Sequence, residues 1–279
     1  NQFILNRMYK KKIIITGGTD GIGLALTKRL IESEYEVFII GKNEFKGNKA
    51  INDINSNKVE FFQCDLSEKD ELINLSKKLI KLGKIDCLVN NAGALFEKRE
   101  TNRLGIEKTF ALNHLSYFHL SLLLIDKLEE AEKPKIINVS SYAHKKYDLN
   151  LNDLENKNNY NSMKAYCQSK LLNIFFTYAF NLKINSKITC NCLCPGLVDS
   201  NFGKYNPSFL RVSVNIIKKL FAISPHEASK VPYHLITSHD TENTTGKFFV
   251  KSIQASSSDY SQNKNIASEV WDRSIDYIK

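Results

Sequence analysis

The stretch Lys11-Lys12-Ile13-Ile14-Ile15-Thr16-Gly17-Gly18-Thr19-Asp20-Gly21-Ile22-Gly23 decides the fold. Ile13-Ile14-Ile15 is a β-branched run suited to a buried parallel strand. Leu24, Leu26, Leu30 and Ile31 then begin a helical pattern. Strand, glycine turn and helix in that order form the context a dinucleotide fingerprint requires, because glycines let the backbone turn tightly and approach a pyrophosphate at the helix N-terminus. The spacing is GxxxGxG, with Gly17, Gly21 and Gly23.

Downstream, the same alternation repeats. Val37 to Ile40, Lys58 to Gln63, Ile85 to Val89, Lys135 to Val139 and Lys187 to Cys194 read as strands, with helical patterns between them and a last strand at Gly246 to Val250. A helix over 67–82 carries Leu72, Leu75, Leu79 and Leu82 on one stripe, and a long helix over about 103–128 carries Asn113. This order predicts an α/β fold: one Rossmann-type, doubly wound parallel sheet of about seven strands with helices on both faces. Residues 1–279 read as one domain, with a substrate lid expected over 197–223 and a tail over 251–279 that Trp271 anchors through a short helix.

Composition bounds the function. The chain has 279 residues, 42% hydrophobic and 25% charged, with a formal net charge of +9. The lysines are scattered and no basic stripe or known module accompanies them, so nucleic acid is not an expected partner. Six cysteines at 64, 87, 167, 190, 192 and 194 form no CxxC pair, and reduced thiols suggest a cytoplasmic chain. No apolar run is long enough to span a bilayer. The chain begins at Asn1, which leaves room for a trimmed targeting or anchoring segment and peripheral membrane attachment.

Tyr166 and Lys170 stand four positions apart within Ala165-Tyr166-Cys167-Gln168-Ser169-Lys170. On a helix they share a face. A nearby ammonium favours the phenolate, and a lowered phenol pKa suits general acid–base work. After the second strand, Gly41-Lys42-Asn43 stands where an NAD site carries an acid, and Lys42 offers charge to a 2′-phosphate. NADP(H) is therefore expected over NAD(H). Asp20, beside the same pocket, counts against a phosphate.

TGGTDGIG, Asn90-Asn91-Ala92-Gly93, the Asn113 helix, Asn138-Val139-Ser140-Ser141 and YCQSK, in that order, resemble the short-chain dehydrogenase/reductase family over residues 10–250. SSYAH, AYCQSK, Cys194-Pro195-Gly196-Leu197-Val198 and the offset of 25 from Ser141 to Tyr166 resemble its retinol dehydrogenase and WW-domain oxidoreductase group. The resemblance implies that Tyr166 exchanges the proton with the substrate oxygen. Lys170 would lower the Tyr166 pKa and bind the nicotinamide ribose. Ser141 would donate to the substrate carbonyl, and Asn113 would hold a relay water. Gly17, Gly21, Ile22 and Gly23 would cradle the pyrophosphate. Asp65 and Leu66 would contact adenine, Asn91 and Ala92 the ribose, and Pro195, Gly196 and Val198 the nicotinamide side. Thr19, Asp20, Lys42, Asn43, Gly93 and Ser200 complete the expected cofactor contacts. His144 and His114 have no required catalytic part, so packing or hydrogen bonding is expected of them.

The helix over 163–183 presents Leu171, Leu172, Phe175, Phe176 and Ala179. Core packing explains the stripe about as well as the homodimer interface that the resemblance implies. A basic amphipathic stretch over 211–223 fits a lid packed on its own protein or a weak contact with a membrane surface. The function expected is hydride transfer between nicotinamide and a small lipophilic alcohol or carbonyl substrate of retinoid, steroid or xenobiotic type, with no metal. The alternatives are a non-catalytic cofactor-binding scaffold and a membrane-peripheral interaction protein.

Overall fold

The computed structural model describes residues 10–196 and 223–279. Residues 197–222, most of the expected lid and amphipathic stretch, lie outside them, together with Val198 and Ser200.

One sheet of eight strands organises the chain, in the order β3-β2-β1-β4-β5-β6-β7-β8. The strands are β1 (Lys12–Thr16), β2 (Glu36–Gly41), β3 (Val59–Gln63), β4 (Cys87–Asn90), β5 (Lys135–Val139), β6 (Thr189–Cys194), β7 (Phe248–Val250) and β8 (Ile253–Ala255). Seven run parallel, and β8 pairs antiparallel with β7. The order reverses between β1 and β4, so the carboxyl ends of those strands open a crevice where ligands bind in such sheets.

Strand alternation sorts the side chains to two faces. Ile14, Phe38, Ile40, Leu88 and Ile136 join one apolar cluster, whereas Ile13, Ile15, Val37, Ile39, Cys87 and Val89 join the other. Both faces are covered, which is why these strands are apolar throughout. The eighth strand was not anticipated. It has three residues, all exposed, and gives no periodic signal.

The expected helix over 103–128 is a broken series. Asn102 Oδ1 accepts from the amides of Leu104 and Ile106, forming a turn in which Gly105 takes φ +78°. The first helical segment begins only at Lys108, capped by Glu107. A π-helical segment, Ala111–Leu115, then interrupts the pattern at Asn113 before a regular helix over Ser116–Leu123. Such insertions occur often at functional sites.

The long helix Ser162–Lys183 buries Leu171, Leu172, Phe175, Phe176 and Ala179 within the chain. The terminal helix Lys264–Ile278 packs along it. Trp271 lies edge-on to Phe118 at 4.8 Å and within 6.4 Å of Phe176 and Phe180. Intrachain packing thus accounts for the apolar stripe. Among the described residues no helix is long and apolar enough to cross a membrane.

Candidate active site

The glycine turn is built by close backbone approach. Gly17 takes φ +67°, and a Cβ on it would stand 2.9 Å from Ala92 Cα. A Cβ on Gly23 would fall 2.3 Å from the Gly17 carbonyl oxygen. No other residue type fits either place. Thr16 ties this turn to β4. Its Oγ1 accepts from the amides of Asn91 at 2.8 Å and Ala92 at 3.0 Å. The Asn91 carboxamide donates to the Thr16 carbonyl at 2.9 Å. Asn91 therefore holds the turn through its side chain. Asp20 caps the helix Gly21–Glu32 through the Gly21 amide, and its charge is met by Lys46 at 3.2 Å.

Beside the turn lies a cavity of about 340 Å³. Gly17, Thr19, Lys42, Asn43, Asp65, Leu66, Ala92 and Gly93 line it, all anticipated from the sequence. Ser67, Ala94, Phe96, Lys108 and Leu112 also line it and were not anticipated, because each lies outside a glycine or asparagine motif. The glycine cradle and the apolar floor of Leu66 and Leu112 fit an adenosine dinucleotide. At its outer end Lys42 is ion-paired with Asp65 at 2.6 Å. Burial raises the Asp65 pKa, but hydrogen bonds from Lys42 and Ser67 outweigh it and leave the carboxyl below its ordinary value.

At the other end, β5 delivers two serines to different tasks. Ser140 is buried, its hydroxyl donating to the Lys170 carbonyl at 2.7 Å. Ser141 caps a 3-10 turn over Tyr142–Lys145, its Oγ accepting from the Ala143 amide at 3.2 Å. The side chains of Ser141 and Tyr166 are hydrogen-bonded. Lys170 Nζ donates to the Val139 carbonyl at 3.1 Å and lies 5.9 Å from the Tyr166 ring centroid. The Cβ position on Gly93 falls 3.3 Å from Lys170 Nζ and 3.4 Å from Asn113 Oδ1. Ser141, Tyr166, Lys170 and Asn113 are thus drawn to one end of the crevice.

Two details go beyond the expected roles. The Asn113 carboxamide is spent within the protein: Nδ2 donates to the Ala94 carbonyl and to Ser169 Oγ, both at 2.9 Å, and Oδ1 accepts from the Ala94 amide. It clamps the loop after β4 to the long helix. Second, burial pushes the Tyr166 phenol up to about 12, against the pull of its Ser141 hydrogen bond. Burial pushes Lys170 down to about 8. Desolvation, and not the neighbouring ammonium, sets the phenol here. Tyr117 was missed altogether. Its hydroxyl donates to the Ala92 carbonyl at 2.7 Å, and its ring centroid lies 5.6 Å from Lys170 Nζ. It stands four residues after Asn113, a spacing that could have flagged it.

Gly196, with φ +96°, follows Pro195 at the carboxyl end of β6. His114 is buried, its Nε2 2.9 Å from Ser274 Oγ on the terminal helix. Among the described residues no group of histidine, cysteine or carboxylate side chains is placed to hold a metal.

The short chain dehydrogenase family model matches residues 11–209. The chain belongs to the short-chain dehydrogenase family. Its members bind NAD(P), and this one is an oxidoreductase of alcohol and carbonyl groups. Human polyprenol dehydrogenase is 30% identical over 276 residues, covering 94% of this chain and 83% of that protein. Human retinol dehydrogenase 13 is 28% identical over 272 residues, covering 94% and 82%. Among solved structures, an uncharacterised protein from Mycobacterium paratuberculosis superposes with a TM-score of 0.77 at 21% identity, covering 96% of this chain and 93% of that one. A Pseudomonas aeruginosa RhlG/NADP active-site complex gives 0.68 at 23% identity, covering 87% and 95%. These two likenesses speak to the short-chain dehydrogenase fold alone.

Proposed function

We propose that this short-chain dehydrogenase is an NADP(H)-dependent oxidoreductase acting on a lipophilic alcohol or carbonyl compound, of the long apolar kind named in its polyprenol and retinol dehydrogenase relatives. The observation that carries the reading is the hydrogen-bonded Ser141–Tyr166 pair with buried Lys170 beside it, at one end of a crevice with a dinucleotide cradle at the other. The described elements act as one dinucleotide-binding unit.

A phenol held at about 12 is protonated near neutrality, so Tyr166 is the proton donor to a carbonyl oxygen during reduction. The Ser141 oxygen already accepts from the Ala143 amide, which leaves its own O–H to polarise that same oxygen. Lys170 holds a positive charge against the developing phenolate. When bound, the nicotinamide supplies or accepts the hydride. Asn113 keeps the loop after β4 and the long helix in register. Gly17, Gly21, Ile22 and Gly23 would hold the pyrophosphate, and Pro195 and Gly196 the nicotinamide side.

The preference for NADP(H) rests on Gly41, Lys42 and Asn43 lining the cavity where a ribose-binding acid would stand. Asp20 does not oppose it, since Lys46 offsets its charge. Exchange of Lys42 with Asp65 for a 2′-phosphate is inexpensive, because the lysine is largely solvent-exposed and such pairs contribute little.

Absorbance of reduced nicotinamide with a panel of long-chain alcohols, aldehydes and ketones tests the activity. Tyr166→Phe is expected to lower kcat by roughly 10²- to 10⁴-fold with cofactor affinity unchanged. A panel without turnover, or an undiminished Tyr166→Phe, sinks the reading. Lys42→Asp is expected to reverse the preference for NADP(H) over NAD(H), measured as the ratio of kcat/KM values. An unchanged ratio removes Lys42 from the site.

A further inference from the structure

His144 is buried beside Ser141, yet it plays no part in the proton and hydride steps above. Its ring makes two hydrogen bonds, and the chemistry of the partners fixes both directions. Nδ1 lies 2.7 Å from the Ser141 carbonyl oxygen, which can only accept, so Nδ1 carries the proton. Nε2 is 3.2 Å from the Ser258 backbone amide, which can only donate, so Nε2 is bare. The ring sits edge-on to Phe248 at 5.3 Å. Burial lowers its pKa against the opposing pull of the Ser141 bond, which keeps the imidazole neutral near neutrality.

These bonds close a ring of contacts around the reacting end of the crevice. The Ser141 carbonyl also receives the backbone amide of His144 at 3.2 Å, so its peptide is held from two directions. On the far side, Ser258 belongs to a serine-rich segment pinned to the long helix: Ser257 Oγ is 2.8 Å from Tyr178 Oη and 2.7 Å from Ser261 Oγ. Tyr178 and Tyr166 lie on that same helix. A path therefore runs from Tyr166 to Ser141, through His144 to Ser258, and back through Tyr178 to the helix that carries Tyr166. Asparagine could supply the Nδ1–H donor and glutamine could reach the Ser258 amide, but neither makes both bonds from a flat, apolar-packed ring.

We propose that His144 is a positioning residue: by tying the Ser141 peptide to the carboxyl-terminal segment at Ser258, it fixes the Ser141 hydroxyl relative to Tyr166 and the substrate oxygen. The assignment rests on the part given to Ser141 and Tyr166 above. It makes the segment 257–261 a working part of the site although no residue of it touches the reacting atoms.

The experiment compares kcat, KM and cofactor affinity for the wild type, His144→Phe, His144→Asn, Ser141→Ala and the double variant Ser141→Ala/His144→Phe. His144→Phe is expected to lower kcat by about tenfold or more, with KM and cofactor affinity within about twofold. His144→Asn, which keeps a donor for the Ser141 carbonyl but loses the Ser258 amide bond, is expected to fall between the wild type and His144→Phe. In the Ser141→Ala background His144→Phe should have almost no further effect, because residues acting as a unit are not additive. Equal losses in both backgrounds, or a folded His144→Phe with full kcat, overturn the proposal. If that variant does not fold, the imidazole ¹⁵N spectrum of the wild type decides: the Nδ1–H tautomer supports the tie and the Nε2–H tautomer overturns it. That spectrum needs no turnover. A wild type inactive on the whole panel therefore removes the proposed activity while the tie between His144 and Ser141 is still judged.

Discussion

The two ends of the crevice are held by different physics. At the cofactor end, backbone approaches backbone: a Cβ on Gly23 would strike the Gly17 carbonyl at 2.3 Å, and Thr16 and Asn91 bridge neighbouring strand ends. Around the long helix that carries Tyr166, side chains from distant parts of the chain meet. Buried Glu155 accepts from the Glu107 amide at 3.1 Å and the Tyr277 hydroxyl at 3.0 Å, with Arg99 at 3.4 Å. Gln168, two residues after Tyr166, accepts from Asn156 at 2.9 Å and donates to the Asp148 carbonyl at 2.6 Å. The terminal helix packs on the later turns of the same long helix through Trp271. The cofactor end depends on what residues lack, and the substrate end on what they reach.

That contrast predicts separable failures. The largest should come from Trp271→Ala, which empties the contact with Phe118, Phe176 and Phe180 and is expected to destabilise the chain by about 3–5 kcal/mol. Denaturant unfolding measures it. The cofactor affinity of the molecules that remain folded should be unchanged, and a matching loss of affinity would break the contrast. Gly23→Ala should do the reverse, weakening cofactor binding by about tenfold or more while costing only about 1–3 kcal/mol of stability. Full affinity in that variant would mean the turn yields where the geometry says it cannot.

The smallest effect concerns Lys170. Burial lowers its pKa from 10.5 to about 8, so the folded chain disfavours the charged form relative to the unfolded chain. The penalty is complete below about pH 8 and fades as pH rises toward the unfolded value. Lys170→Met is therefore expected to remove activity yet stabilise the fold at pH 7, by on the order of 1 kcal/mol once the lost Val139 hydrogen bond is counted. The gain should shrink at pH 10. Unfolding midpoints at the two pH values would sink the account if the variant were less stable at pH 7.

Legibility in the sequence follows the same division. The turn Gly17–Gly23 and the pair Tyr166–Lys170 were readable because each lies within a short run whose spacing constrains the geometry, whereas Ser141 was flagged by the family resemblance. The helix over 103–128 was misjudged at both its start and its middle. The Asn102 turn and the Glu107 cap delay it, and the π segment stands where Asn113 bonds Ala94 and Ser169 on other parts of the chain. A packing or hydrogen-bonding part was readable for His144, but its partner Ser258, like the Ala92 partner of Tyr117, was not, because they lie 114 and 25 residues away.

By itself the sequence determined the parallel α/β sheet and the glycine turn after its first strand, and the family resemblance singled out the residues that the fold gathers at Ser141. Local backbone constraints and strand periodicity act over a few residues, and so they are written locally. Tertiary structure alone decided the direction of the Tyr166 and Lys170 pKa shifts, the commitment of Asn113 and Asn91 to holding loops, and the closure of the stripe on Ser162–Lys183 by the terminal helix. Desolvation and long-range hydrogen bonding depend on everything packed around a group, and no single stretch of chain carries that information.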